Sequence, residues 1–266
     1  MLSRQCQRQI LKTRVAATSY HDACDRIQHW ASTQTFSYIV PANVHVVMTA
    51  YWNPDYQNVI NHAALVTPDG MPLMWALRLL GVKGQQRVYG PDLMLAWCDR
   101  AAQLGSPIYL YGSTDNTLAK LKAALQQQFP HLPIAGCHAP PFRPLTPAEE
   151  AADLERIWQS GAQVVFIGLG CPKQEQWMYR NRDKFPGVMI GVGAAFAFFS
   201  GEVQQAPRWM MKFGLEWLYR FSQEPCRLWQ RYLINNPAFV VLFGLQLLGH
   251  WWRRQAARWS MNKPTG

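Results

Sequence analysis

Residues 168–175 carry the side chains best suited to binding a phosphorylated ligand. The small and polar residues of this segment are Gly168, Gly170, Pro172, Lys173, Gln174 and Glu175. The glycines let the backbone approach a ligand, and a helix beginning near Pro172 would offer unpaired N–H groups to a phosphate. The segment is neither a complete dinucleotide fingerprint, which needs a third glycine at Lys173, nor a Walker loop. It predicts a ligand site, with an ordinary strand-to-helix turn as the alternative.

Asp69 is the candidate general base. It directly follows a predicted buried strand, in the order Pro68, Asp69, Gly70. A carboxylate at this place can take a proton from a bound substrate. The same residues are also typical of a turn, and an Asp there often only caps the next helix. On the residues alone, catalysis and capping both stay open.

Arg87 precedes a helix that is predicted to begin at Pro91. Its planar fork can hold a phosphate or a carboxylate, and the alternative is a solvated surface arginine. Asp92 falls in the first turn of that helix, where negative charge is stabilised, and is expected to be structural. His45 and His62 have no partner cysteines at ligand spacing, and the sequence has no Asp-x-Asp pair. We therefore expect a metal-free reaction without a cofactor.

The elements that would position these residues alternate between short apolar runs and helical patterns. The strand candidates are residues 37–40, 64–67, 107–111, 163–167 and 188–190. Short apolar runs without alternation suit strands covered by helices on both faces, so the fold class is predicted to be α/β with a Rossmann-like parallel sheet. Ligands bind beyond the carboxyl ends of such strands. Asn43, Asp69, Gly168, Gly191 and Gly193 all lie just after predicted strands.

The C-terminal part of the chain has a different character. The sequence of 266 residues is 49% hydrophobic and carries a formal net charge of +10, with the basic excess and many tryptophans after residue 207. This composition fits one core plus an appendage. We predict a Rossmann-like core over residues 1–201, an appendage over 202–236 that completes the active site, and an amphipathic, membrane-associating tail over 237–266. Arg220, Arg227 and Arg231 can clamp a pyrophosphate, face lipid headgroups or remain solvated.

Cysteines and apolar runs bear on the compartment. The six cysteines are widely spread without a Cys-x-x-Cys pair, as fits a reducing cytosol. The N-terminus lacks the apolar stretch of a secretory signal, so no export is expected. The longest apolar run, residues 238–248, is shorter than the roughly 20 residues that span a bilayer, so the tail is expected to lie on a membrane. A tail packed on its own domain or on another subunit is the alternative.

Four sequence blocks in order resemble the WecG/TagA/CpsF glycosyltransferases of bacterial surface-polysaccharide and teichoic-acid synthesis. They are residues 168–175, 191–196, 206–209 and 214–220, within a match from about residue 10 to 235. The resemblance implies a metal-independent, inverting transfer from a UDP-sugar, typically UDP-N-acetylmannosamine or a relative, onto a polyprenyl-diphosphate-linked sugar. It also implies a cytoplasmic enzyme that is peripheral on the inner membrane.

The resemblance makes Asp69 the family's proposed base and assigns the other site residues. The substrate-binding candidates are Asn43, Arg87, Gly168, Gly170, Pro172, Lys173, Gln174, Glu175, Gly191, Gly193 and Phe196, and the diphosphate candidates are Arg220, Arg227 and Arg231. The implied partners are a UDP-sugar donor, a polyprenyl-diphosphate-linked acceptor and a membrane surface. No nucleic acid is expected, and a homo-oligomer stays open.

Three positions depart from the family pattern. Pro41, Ala197 and Gln205 stand where many members have Thr, Asp and Arg. The first two departures remove polar groups near Asp69 and the nucleoside, which leaves UDP-glucose open as the donor.

Two other functions stay open on the residues alone. They are an NAD-dependent Rossmann oxidoreductase, which the incomplete fingerprint disfavours, and a non-catalytic membrane adaptor.

Overall fold

The computed structural model describes the backbone of residues 6–261 and the side chains of residues 6–230 and 232–252. Its strands are β1 (Gln7–Ile10), β2 (Thr13–Ala16), β3 (Ser37–Ala42), β4 (Leu65–Pro68), β5 (Ile108–Gly112), β6 (Ile134–His138), β7 (Val164–Gly168) and β8 (Val188–Gly191). The helices of the first three quarters of the chain are α1 (Tyr20–Ser32), α2 (Val44–Trp52), α3 (Pro54–Asn61), α4 (Met71–Leu79), α5 (Gly90–Leu104), α6 (Asp115–Gln128), α7 (Pro147–Gln159), α8 (Lys173–Arg180) and α9 (Ala195–Phe199). After them come α10 (Arg208–Lys212), α11 (Glu216–Gln223), α12 (Pro225–Trp229), a π-helical turn (Gln230–Ile234) and α13 (Asn235–Met261).

Six parallel strands form the central sheet in the order β4-β3-β8-β7-β5-β6. The prediction of an α/β fold with a parallel sheet is confirmed, and all five predicted strands are present. The sequence did not predict β6 or the antiparallel β1–β2 hairpin. Neither forms a continuous apolar run in the sequence, because β6 is a half-exposed edge strand and the hairpin strands carry polar residues such as Gln7, Arg8 and Arg14.

Helices cover both faces of the sheet, which explains the apolar runs of its strands. Consecutive residues of β3 enter opposite cores: Val40 packs with α2, α4 and α8, whereas Ile39 packs with α1, α5 and α6. Trp97 of α5 is fully buried on the second face. Two separate apolar cores therefore hold the strands in place and fix the positions of their carboxyl ends.

The sequence Thr146, Pro147 and Glu149 predicts a capped helix that runs to about Gln159, and the start of α7 confirms this prediction in detail. The Thr146 hydroxyl accepts a hydrogen bond from the Glu149 backbone N–H, and the Glu149 carboxylate accepts one from the Thr146 N–H at 2.8 Å. Such a reciprocal cap stabilises a helix by about 1 kcal/mol. The helix ends at Gln159, as the sequence predicted.

The helix that begins at Pro225 is longer than the sequence suggested. It continues through the π-helical turn into α13, and the stretch Pro225–Trp252 is long and apolar enough to cross a membrane by length and composition. The expectation that this region is too short to span was therefore wrong on length. Arg227 and Arg231 are four residues apart, which predicts that they share one face of a regular helix. The π-helical turn breaks the 3.6-residue period on which that prediction depends.

One side of α13 packs against the core. Phe239 and Phe243 are buried there with stacked rings whose centroids are 5.6 Å apart. The Gln246 side chain donates to the Gln9 carbonyl oxygen and accepts from the Leu11 N–H, both at 2.7 Å. The first half of α13 thus lies along α2 and the β1–β2 hairpin.

The tips of β5 and β7 approach so closely that only glycine fits. Gly112 has a φ of +121°, and an added Cβ would lie 2.7 Å from the carbonyl carbon of Gly168. We expect Gly112→Ala to lower the free energy of unfolding by roughly 2 kcal/mol or more, measured by urea denaturation.

The matched control is Gly105→Ala. Gly105 has a φ of +65°, but nothing lies within 4 Å of the added Cβ. Only backbone strain of about 1 kcal/mol is expected there. Equal losses in the two variants would contradict the close approach of the strand tips.

Candidate active site

A cleft of about 860 Å³ opens at the carboxyl ends of the central strands. The chain leaves the neighbouring strands β7 and β5 in opposite directions, towards β8 and β6, and ligands of such folds bind at this switch point. The core residues that line the cleft include Pro41, Asn43, Asp69, Arg87, Ser113, Gly168, Gly170, Gln174, Glu175, Gly191 and Gly193. Residues of the appendage, including Glu216, Arg220 and Arg227, line the same cleft.

Asp69 follows β4 and is only 9% exposed. Its Oδ1 accepts a hydrogen bond from the Gly90 N–H at 2.5 Å, at the first residue of α5. It does not cap the next helix, because the N-cap of α4 is Gly70, without a side-chain hydrogen bond. Burial raises the pKa of Asp69 to about 6, against the opposing effects of the Arg87 charge and the Gly90 N–H. A carboxylate with this pKa is mostly ionised at neutral pH and still accepts a proton well.

Gly90 has a specific role in this arrangement. A Cβ added at residue 90 would lie 3.3 Å from the Pro41 Cβ and 3.4 Å from the Asp69 Oδ1. The absence of a side chain lets the start of α5 come close enough to hydrogen-bond the carboxylate. The helix dipole favours negative charge at the same place.

Arg87 is not a solvated surface arginine, because its side chain is 14% exposed. Its Nη2 lies 2.6 Å from the Glu216 Oε2, and its Nε donates to the main-chain oxygen of Asp69. The guanidinium also lies 4.0 Å from the centre of the Tyr89 ring. Burial works against this cation, but the charges of Asp69 and Glu216 outweigh it and raise the pKa of Arg87.

The glycine-rich segment lies where the sequence placed it. Gly168 ends β7, Gly170 has a φ of +79°, and α8 begins at Lys173. Gln174 and Glu175 are both buried, and the Gln174 Nε2 donates to the Glu175 Oε1 at 2.7 Å. Burial raises the pKa of Glu175.

Gly191 and Gly193 leave room for Gln174. A Cβ at residue 191 would lie 3.0 Å from the Gln174 Nε2, and one at residue 193 would lie 3.6 Å from its Oε1. That Oε1 is buried without a hydrogen-bond partner. Since buried polar atoms are nearly always paired, the atom is available to a ligand in the cleft.

Three of the predicted substrate-site residues do not line the cleft. Pro172 and Lys173 lie at the start of α8, outside its lining. Phe196 is 1% exposed and packs beneath the cleft, where a Cβ added at Gly168 would lie 2.5 Å from its ring. Phe196 therefore shapes the floor of the cleft and supports Gly168.

Asn43 lines the cleft and also caps α2, since its side-chain oxygen accepts from the Val46 N–H at 3.3 Å. Ser113 and Phe142 are among the lining residues that the sequence did not single out. Ser113 has a φ of +62°, which is uncommon for a residue with a side chain and recurs at functional sites. Phe142, in the proline-rich loop after β6, is exposed at the cleft. The only sequence signal for Ser113 was its position just after a strand.

The appendage supplies cationic side chains to the cleft. The Arg220 guanidinium lies 5.5 Å from the centre of the Phe198 ring, and its Nε is buried without a hydrogen-bond partner. Arg227 forms an ion pair of 2.6 Å with Glu224. The side chain of the third predicted arginine, Arg231, lies outside the described residues.

The structure also bears on the expected absence of a metal ion and on the positions that depart from the family pattern. Among the described residues, no three His, Cys, Asp or Glu side chains are grouped so that they could hold a metal ion. His45 instead lies 3.2 Å from the Asn235 side-chain amide. Pro41 and Ala197 both line the cleft, so the polar side chains that many family members have at these positions are missing from it.

The charges around Asp69 predict the pKa of its carboxyl in the protein without substrate. We expect the carboxyl to titrate near pH 6, and Arg87→Gln to raise its pKa further because a nearby positive charge is removed. Carboxyl ¹³C NMR, with the resonance assigned through Asp69→Asn, measures both values. A pKa near 4 in the unmodified protein, or a lower value in Arg87→Gln, would contradict the described environment.

Comparison with known proteins identifies the family. Residues 8–255 match the glycosyl transferase WecG/TagA/CpsF family. A protein of Bacillus spizizenii named N-acetylglucosaminyldiphosphoundecaprenol N-acetyl-beta-D-mannosaminyltransferase is 34% identical over 206 residues, which are 77% of each chain. A protein of the same name from Bacillus subtilis is 29% identical over 227 residues, 85% of this chain and 86% of the relative. The cleft with its buried aspartate and appendage arginines is thus that of a member of the WecG/TagA/CpsF family of glycosyl transferases.

Proposed function

We propose that the protein transfers a hexose or an N-acetylhexosamine from a UDP-sugar to a polyprenyl-diphosphate-linked sugar, with inversion and without a metal ion. The observation that carries the proposal is that Asp69, whose carboxyl has a pKa of about 6, lines the same cleft as the appendage residues Arg220 and Arg227. The names of both relatives support the acceptor class, since they specify N-acetylglucosaminyldiphosphoundecaprenol.

The proposed step is a single displacement. The acceptor hydroxyl oxygen attacks the anomeric carbon of the donor sugar while its proton passes to the Asp69 carboxylate. The bond between that carbon and the UDP oxygen breaks, and its electron pair leaves with UDP. Because the nucleophile enters opposite the leaving group, the anomeric configuration is inverted. General-base assistance of this kind contributes about 10²–10⁴ to a rate.

The appendage arginines stabilise the leaving diphosphate in this proposal. Negative charge grows on UDP in the transition state, and fixed cations aimed at that charge lower the barrier. Arg220 has a buried N–H without a protein partner, and Arg227 can exchange its surface ion pair with Glu224 for a phosphate. UDP-N-acetylmannosamine or a relative is the favoured donor type, and UDP-glucose is the second candidate because of Pro41 and Ala197.

The position of α13 supports a peripheral membrane enzyme that meets its lipid-linked acceptor at the cytoplasmic face. Its exposed apolar side chains are Val240, Val241, Leu245, Leu248, Trp251 and Trp252. The opposite side carries Phe239 and Phe243, which pack into the core. A helix with one docked face and one apolar, tryptophan-rich face is suited to lying in the membrane interface.

The base assignment predicts the behaviour of Asp69→Asn. We expect kcat to fall by about 10²–10⁴, with UDP binding retained, because the amide cannot accept the proton. Transfer from labelled UDP-sugars to a synthetic polyprenyl-diphosphate-sugar measures kcat, and calorimetry measures the binding of UDP. NMR of the product reports the anomeric configuration in the same assay.

Asp99→Asn is the control, because Asp99 is an exposed residue of α5, the helix that also contacts Asp69. It should keep unmodified activity. Near-normal turnover by Asp69→Asn would refute the base assignment, and retention of configuration would refute the single displacement. Binding of NAD in place of UDP would favour the oxidoreductase alternative.

The exposed face of α13 predicts which substitutions release the protein from membranes. Truncation after residue 236 is a poor test, because it removes Phe239 and Phe243 from the core. Val241→Glu combined with Leu245→Glu changes only exposed positions. We expect this variant to bind anionic phospholipid vesicles at least about tenfold more weakly in co-sedimentation, since two apolar side chains no longer enter the interface.

Leu104→Glu is the matched control, because Leu104 is an exposed leucine at the end of α5. Its vesicle binding should be unchanged. Vesicle binding of the α13 variant that equals that of the unmodified protein would refute the membrane role of this face, while UDP binding should stay normal in all three proteins.

A further inference from the structure

We propose that Glu216 is a positioning residue for sugar transfer, which clamps the appendage onto Arg87 and Tyr89 and so holds Arg220 in the cleft. This inference rests on the proposed function, because the position of Arg220 matters only if a diphosphate leaves there. It concerns a residue that the sequence did not single out.

The clamp uses both oxygens of the carboxylate. The Glu216 Oε2 lies 2.6 Å from the Arg87 Nη2, and its Oε1 accepts a hydrogen bond from the Tyr89 hydroxyl at 2.8 Å. The side chains of Glu216 and Arg87 are each only 14% exposed, and Tyr89 is buried. Charge-assisted hydrogen bonds with little access to water are the strong ones, and removing one partner leaves a costly buried charge.

The clamp joins two distant parts of the chain. Arg87 and Tyr89 belong to the segment between α4 and α5, whereas Glu216 is the first residue of α11. Gly214, just before α11, has a φ of +74°, and a Cβ there would lie 2.8 Å from the Trp75 ring of α4. The start of α11 is therefore fixed by an ion pair and by close packing at the same place.

Arg220 follows Glu216 by four residues on α11, so the two side chains lie on the same face of that helix. Fixing Glu216 on the core therefore directs Arg220 into the cleft, which both residues line. The unpartnered, buried Nε of Arg220 is consistent with a group held ready for a ligand.

Glu216 also affects the pKa of Asp69, the proposed base. Burial is the main cause of the raised pKa of Asp69, the Arg87 and Arg220 charges lower that pKa, and the Glu216 charge raises it. The ionisable groups that act on Asp69 are Tyr20 of α1, Arg87 and Tyr89 before α5, and Glu216 and Arg220 of α11. Loss of the Glu216 charge therefore leaves the two arginines unopposed and lowers the pKa of Asp69.

Glu216→Gln tests the proposal because the amide has the same shape without the charge. We expect kcat/KM to fall at least tenfold. We also expect the acid limb of the pH profile of kcat/KM to move to lower pH, since a base with a lower pKa stays ionised in more acidic solution. A role in stability alone would lower activity without moving the limb. In a double-mutant cycle, adding Arg220→Ala should cost little more than the worse single change, because Glu216 acts through Arg220.

Two further variants complete the test. Tyr89→Phe removes one bond of the clamp, keeps the ring beneath Arg87 and serves if Glu216→Gln does not fold. It should lower kcat/KM about threefold to tenfold, and an unchanged kcat/KM would count against the clamp. Glu155→Gln removes an exposed carboxylate of α7 that accepts a hydrogen bond from the Gln159 side chain, and this variant should behave as the unmodified enzyme.

The outcomes separate this inference from the proposed function. If Asp69→Asn is inactive while Glu216→Gln keeps the kcat/KM and pH profile of the unmodified enzyme, the positioning role alone is refuted. A rise of kcat/KM in Glu216→Gln would mean that Glu216 occupies Arg87 in competition with substrate, which also overturns it. If Asp69→Asn stays active, the base assignment itself fails.

Discussion

The buried guanidinium of Arg87 joins the parts of the cleft. It contacts the main-chain oxygen of Asp69, the face of the Tyr89 ring and the carboxylate of Glu216. A cation so far removed from water is tolerated only when its N–H groups are paired, so these three contacts constrain one another. The contacts of Arg87 therefore connect the loop after β4, the segment before α5 and the start of α11. The pKa of Asp69 depends on these contacts, because burial alone would raise that pKa further.

A long helical stretch connects the cleft with the C-terminal part of the chain. Arg227 and the apolar face of α13 belong to one continuous helical stretch, Pro225–Trp252. Phe239 and Phe243 dock that stretch on the core beside α2, whose N-terminal end contributes the capping residue Asn43 and His45 to the cleft. A membrane that contacts α13 would thus lie against an element that also carries a diphosphate-site candidate. Acceptor delivery and completion of the active site would then use the same helix.

Local patterns predicted the parts of the fold that depend on neighbouring residues. The strands followed from short apolar runs, and the cap of α7 from Thr146 and Glu149, because both signals are contained in a few consecutive residues. The convergence of Asp69, Gly168 and Gly191 followed from the rule that parallel strands share one carboxyl edge. The Arg87–Glu216 contact could not be predicted, since its partners are 129 residues apart and join the core to the appendage. The edge strand β6 was missed because its burial pattern is weak.

Hydropathy and length alone do not predict how α13 packs. Hydropathy and length fit a membrane-spanning helix over Pro225–Trp252. The side chain of Gln246, however, satisfies a carbonyl oxygen and an N–H of the β1–β2 segment, and Phe239 and Phe243 fill part of the core. Moving this helix into a bilayer would uncover the apolar core surface that those rings cover and leave polar groups unpaired, both of which cost free energy. The contacts of one face therefore support the proposal that this helix lies on the membrane and does not cross it.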